Sequence, residues 1–279
     1  MRRFLVTGVV VGAMCLGVAG TAYAKAQPKD RVDLELMTWV EVKDAIEHGK
    51  TTALIYNGGT ETRGPQAVNG GHTFVAHAKV VAIAHQLGNA IAAPVLPFSP
   101  NNARADLPGT IGIKSDTFQQ VNREVVEQLI GNGFRNVVLM GDHGGGQTQL
   151  GDLAKELDAK YAPQGIRVVY CEDAYKKSND DFDAYIAGKG LSPGGHASIN
   201  DTSEMMYLEP AANAWVRRDK LPEAIGTERR RGVPPDPNAP PPNGVSGDGR
   251  KSTVEIGKVG YDIHVNEAVA QIKQLLGEH

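Results

Sequence analysis

Three glycine-rich stretches and one separate histidine carry the side chains of this sequence that could do chemistry. The first is Gly58-Gly59-Thr60-Glu61-Thr62-Arg63-Gly64-Pro65, which puts a carboxylate and a guanidinium into a tight turn. His72 follows seven residues after Pro65, at the opening of a helical stretch. The second is Gly141-Asp142-His143-Gly144-Gly145-Gly146, where a histidine leaves an apolar run and enters a nest of glycines. The third runs from Gly194 to Ser203 and holds His196 and Asp201; it reads as a loop. Imidazole and carboxylate donors suit zinc, manganese or iron, and glycines beside them let backbone approach an ion or a substrate. Taken singly, each motif also has an ordinary reading, because loop histidines are commonly just solvated and an Asp-His pair can be simple turn chemistry.

The elements between these stretches argue that they meet. Thr51 to Tyr56 is a short β-prone run, and Ala76 to Leu87 is apolar at helical spacing and closes at Gly88. Ala90 to Leu96 is a second apolar run. Asp116 to Ile130 reads as a helix with Ser115 or Asp116 as N-cap, and Asn136 to Met140 as the cleanest strand. Gln149 to Tyr161 reads as a helix, Ile166 to Cys171 as a strand and Val265 to Leu276 as a short amphipathic helix. Apolar strands separated by helices imply an α/β fold whose mostly parallel sheet is covered on both faces. Ligands in such sheets bind beyond the carboxyl ends of the strands, which here are Asn57 to Pro65, Pro97 to Asn102 and Gly141 to Gln147. The expected organisation is therefore one domain over 35–279. The stretch 226–250 does not fit it: three arginines and a proline-rich run read as a long surface loop, or else as an arm reaching over the site.

Composition excludes several classes. A net charge of −3 and 6% aromatic residues offer neither the basic surface nor the stacking side chains of a nucleic-acid binder. At the start, Arg2 and Arg3 precede an apolar run to about Ala19, and Ala22-Tyr23-Ala24 has the pattern of a signal-peptidase site. The run is shorter than the ~20 residues of a spanning helix. Residues 1–24 are therefore expected to be a cleaved signal peptide and 25–34 a linker, which gives a periplasmic or secreted protein with no stable membrane anchor. Cys171 would then be the single cysteine of the mature chain, a small buried hydrophobe.

The chain resembles the creatininase family. The stretches that carry the resemblance are Gly59 to Pro65 with Gly70-Gly71-His72-Thr73, Pro108-Gly109-Thr110-Ile111-Gly112, Gly133 to Gly146, and His196 to Ser203. The resemblance implies a three-layer α/β/α sandwich, hydrolysis of a small-molecule amide, cyclic or linear, at a metal centre that often holds two ions, and assembly as a homo-oligomer. It also implies roles: Glu61, His72, His143 and Asp201 as metal ligands, Arg63 and His196 as catalytic groups, Gly144 and Gly145 facing the substrate, and Asp142 orienting His143. Two departures stand out. The family's Glu-x-His is Glu61-x-Arg63 here, and its bridging aspartate is His72. Arginine stays protonated and has no lone pair to give. The expected cofactor is accordingly one divalent ion, zinc first and manganese or iron as alternatives. Two further readings remain: a small-solute binding protein with a degenerate metal site, and a peptidase-type trimming enzyme on the same scaffold.

Overall fold

The computed structural model describes residues 31–226 and 242–277. The expected signal peptide, most of the linker and the proline-rich core of the loop lie outside the described residues. Four strands, β1 (Thr52–Asn57), β2 (Ala90–Ala92), β3 (Asn136–Gly141) and β4 (Arg167–Tyr170), form a parallel sheet in the order β2-β1-β3-β4. Among the described residues seven α-helices accompany it: α1 (Trp39–Glu47), α2 (Gly71–Leu87), α3 (Ser115–Gly131), α4 (Gln147–Tyr161), α5 (Lys176–Gly188), α6 (Ile199–Leu208) and α7 (Val254–Leu276).

The strands alternate sides although both faces are buried. Leu54, Tyr56, Val138 and Met140 pack against Val80 and Ile83 of α2 and Val265 and Ile272 of α7. Ala53, Ile55, Val137 and Leu139 pack on the other face against Phe118 and Val126 of α3 and Leu150 and Leu153 of α4. A parallel sheet covered twice needs apolar residues at every strand position, and β1 is buried throughout. This is the expected three-layer α/β architecture.

Several boundaries differ from the sequence reading. The apolar run 90–96 is a strand only to Ala92, and the stretch 194–203, read as a loop, becomes helix α6 from Ile199. Residues 31–34 do not hang free as linker: the Val32 carbonyl accepts from Ala92 N at 2.7 Å, and Val32 is buried. Helix α7 begins at Val254, well before the expected Val265, with the Thr253 hydroxyl accepting from Ile256 N. Gly257 and Gly260 disguise its first turns. A Cβ on Gly257 would stand 1.9 Å from the Ser203 carbonyl oxygen of α6, and one on Gly260 would meet Phe182 at 2.3 Å. Gly257 is what lets α7 close on α6, and Gly260 makes room for Phe182 of α5. Gly→Ala inside a helix ordinarily gains about 1 kcal/mol; here we expect Gly257→Ala to lose about 1–3 kcal/mol through overpacking. The urea midpoint reads the sign directly, and an increase would show that α6 and α7 are not held at this distance.

Candidate metal centre

Asn57 pairs with Gly141, so β1 and β3 end level with each other. The loop after β1 carries Glu61, the first turn of α2 carries His72, and the loop after β3 carries His143. One donor atom from each of these three residues lies within 4.8 Å of the others. Glu61 is the hub. His72 Nε2 is 2.8 Å from its Oε1, His143 Nε2 is 3.0 Å from its Oε2, and Asn101 Nδ2 donates to Oε2 at 2.9 Å. The two imidazoles meet edge to face, 5.1 Å between ring centres.

Both rings are held from behind. His72 lies between two carboxylates, Nδ1 2.7 Å from Asp142 Oδ2 and Nε2 2.8 Å from Glu61 Oε1; with Nδ1–H donated to Asp142, loss of the Nε2 proton would free a lone pair on the side of Glu61 and His143. His143 Nδ1 lies 2.9 Å from Gly145 N and 3.3 Å from Gly145 O, so the same turn can serve either tautomer. Burial alone would raise the Glu61 carboxyl. The hydrogen bonds from His143 and His72, with the charges of His72 and His196, outweigh burial and hold it well below the carboxylate range. Burial opposes ionisation of Asp142 too, and Lys79 and His72 overcome it. His72 is raised: burial and Arg63 push it down, but the bonds to Asp142 and Glu61 prevail.

The remaining expected site residues divide. Arg63 is 2% exposed. Its Nη2 donates to Asp201 Oδ2 at 2.8 Å, and its Nη1 is 3.5 Å from Glu61 Oε1. Asp201, on the first turn of α6, uses the same Oδ2 to accept from Ala197 N at 2.8 Å. Its Oδ2 therefore serves Arg63 and the backbone, and Asp201 is not in the group of donors within 4.8 Å of one another that Glu61, His72 and His143 form. Ala197, with φ 53°, adopts a left-handed conformation that costs a residue with a Cβ roughly 1–2 kcal/mol, and the bond to Asp201 helps hold it there. His196 is close to the trio: Nδ1 is 3.2 Å from Glu61 Oε1 and Nε2 is 2.6 Å from the Thr62 carbonyl. Asp142 backs His72 rather than His143. The Gly145 N–H bonds the His143 ring, which leaves Gly144 as the glycine that faces the open cleft.

That cleft has a volume of about 500 Å³, and Glu61, His143, Gly144, Tyr175, His196 and Asp201 are among its walls. Tyr175 was not expected from the sequence. Gly144 makes room for it: a Cβ there would stand 2.7 Å from the Tyr175 hydroxyl. Burial, with Asp201, Asp142 and Glu61 nearby, pushes the phenol up to about 12, so it stays a hydrogen-bond donor at neutral pH. Asn101 and Lys79 were also missed. Lys79 alone left a trace, as a charged residue inside an apolar helical run, seven residues after His72. The returning end of the proline-rich loop packs on the site as well. Ser246 Oγ accepts from His196 N at 2.7 Å, Ser246 N donates to His196 O at 2.9 Å, and Val245 is buried.

Solved structures of the same fold include creatinine amidohydrolase (creatininase), with TM-score 0.70 and 19% identity, covering 88% of this chain and 97% of that one. A creatininase described with manganese matches with TM-score 0.70 and 19% identity, covering 88% and 98%. A creatininase mutant complexed with creatine matches with TM-score 0.66 and 18% identity, again covering 88% and 98%. No protein of curated function matches the sequence significantly. The family model for creatininase, described as creatinine amidohydrolase, matches residues 35–272, a span that contains every element from α1 to β4 and every residue of the trio. The chain belongs to the creatininase family.

Proposed function

We propose that this protein is a metal-dependent amidohydrolase that cleaves a C–N amide bond of a small molecule with one divalent ion, zinc first and manganese or iron as alternatives. One observation carries the reading: two imidazoles and a carboxylate converge at the foot of a cleft, and Asp142 fixes one imidazole from behind. Two histidines and a glutamate with an open fourth position is a donor set that catalytic zinc uses. The donors present thus fit such an ion without Asp201. A divalent ion held there would supply Lewis acidity to a carbonyl oxygen and lower the pKa of water toward ~7.

The other side chains supply binding and proton transfer. The Thr62 carbonyl takes the Nε2–H of His196, which leaves Nδ1 as the nitrogen that receives a proton beside Glu61 and delivers it to the departing amine. The Tyr175 hydroxyl donates to the substrate's oxygen across Gly144. Arg63 keeps a fixed positive charge behind Glu61, in the place where the family resemblance puts a ligand of a second ion. Export to the periplasm or beyond, with Ala22-Tyr23-Ala24 as the cleavage site, and assembly as a homo-oligomer belong to the same proposal. Among the described residues no helix is long and apolar enough to cross a membrane.

The test is a panel of cyclic and linear amides, with creatinine first because the matching family is described as creatinine amidohydrolase. The zinc-loaded protein should hydrolyse at least one member, opening the ring of a cyclic amide to a free carboxylate or releasing the amine of a linear one. His196→Ala should lower kcat by about 100-fold with metal content unchanged. A solute-binding protein with a degenerate site is the second reading, favoured by Arg63 in place of a ligand. Tight capture of a panel member without turnover would establish it instead.

A further inference from the structure

We propose that Lys79 is a positioning residue of the metal centre, holding the Asp142 carboxylate in the orientation that aims His72 at the ion. The inference rests on the reading of Glu61, His72 and His143 as ligands.

Helix α2 places His72 and Lys79 seven residues apart, on one face. Asp142 is gripped between them. Its Oδ2 lies 2.7 Å from His72 Nδ1, and its Oδ1 accepts from Lys79 Nζ at 3.0 Å. Lys79 is 1% exposed, and lysine is almost never buried this deeply unless paired. It also donates to Glu204 Oε2 at 3.1 Å. Glu204 is buried on α6, with His264 Nδ1 of α7 3.0 Å from its Oε1. The ammonium therefore ties a carboxylate that touches a ligand histidine to one anchored where α6 meets α7.

A carboxylate held at one oxygen can swing, and the imidazole bonded to it swings with it. Lys79 holds the second oxygen and balances the charge. Among the described residues Lys79 has no hydrogen bond or ion pair with Glu61, His143 or His196, so its influence on the trio runs through Asp142. A lysine that merely neutralised two buried acids would affect stability when removed and leave metal affinity alone.

Zinc titration of the purified full chain, by calorimetry or chelator competition, separates these roles. Lys79→Met should remain folded by circular dichroism and bind zinc about 10- to 100-fold more weakly, the range for loss of a group that orients a ligand. In an Asp142→Asn background the same substitution should change affinity little, since the group it acts through is already altered. If Lys79→Met does not fold, Lys79→Met/Glu204→Gln removes the stranded charge as well and permits the same comparison. Wild-type zinc affinity in the folded variant, or an equal loss in both backgrounds, would overturn the inference. A wild-type chain that binds no zinc would sink the metal reading itself.

Discussion

His143→Ala should fold normally and lose the metal. The residue stands at the end of β3, whose core positions Val137 to Met140 are buried without its help, so its removal takes nothing from either side of the sheet. What it does take is one of three donors. A group that only orients a ligand costs about 10- to 100-fold in affinity when lost; a ligand itself should cost well beyond that, and activity with it. The ordinary alternative is a rim histidine satisfied by Glu61 and Gly145, and it predicts full metal occupancy and a small loss of stability. Bound metal and circular dichroism, measured on the same sample, separate the two. A folded variant with undiminished metal would remove the centre of the proposed mechanism and move the solute-binding reading ahead.

Arg63→Met should cost stability rather than metal. Arg63 is among the largest fully buried side chains, and its guanidinium faces Asp201 at 2.8 Å and Glu61 at 3.5 Å. Methionine fills similar space but leaves two acidic groups without their cation. Breaking a buried pair from one side costs about 3–5 kcal/mol, mostly as the penalty on the charge left behind. The urea midpoint should fall accordingly, with an unchanged slope. Arg63→Met/Asp201→Asn should recover a sizeable part, because it removes one of the stranded charges. A single variant as stable as the wild type would mean that Arg63 does not carry the charge of this corner. Asp201 Oδ2 serves both Arg63 and the Ala197 amide.

The sheet was legible in the sequence because β1 and β3 are unbroken apolar runs, and a parallel sheet covered on both faces writes itself that way. Their shared carboxyl edge places Glu61 and His143 on one rim, which the order of strands and loops in the sequence already implies. What stayed hidden depended on contacts between distant segments. Helix α6 was obscured by the glycines and polar residues before Ile199, and the start of α7 by Gly257 and Gly260, which have low helix propensity but serve close packing. Asp142 follows β3 directly and neighbours His143 in sequence, yet its carboxylate points to His72, seventy positions earlier. Lys79 is a charge inside an apolar helical run, and its partners Asp142 and Glu204 come from segments far away in sequence. Ion pairs of this kind leave no periodic trace, because each partner comes from a different element.

The most direct test of the whole account is elemental analysis of the purified chain after dialysis against metal-free buffer. Glu61, His72 and His143 form one of two donor sets among the described residues, the other, Asp33, Glu35 and His77, being the more exposed, and Arg63 stands beside Glu61 with a charge that cannot ligate. One equivalent of a divalent ion should survive dialysis. Two retained equivalents would show that Arg63 and His72 do not limit the centre to a single ion, and a chain that takes up none when zinc is supplied would contradict the assignment of the trio.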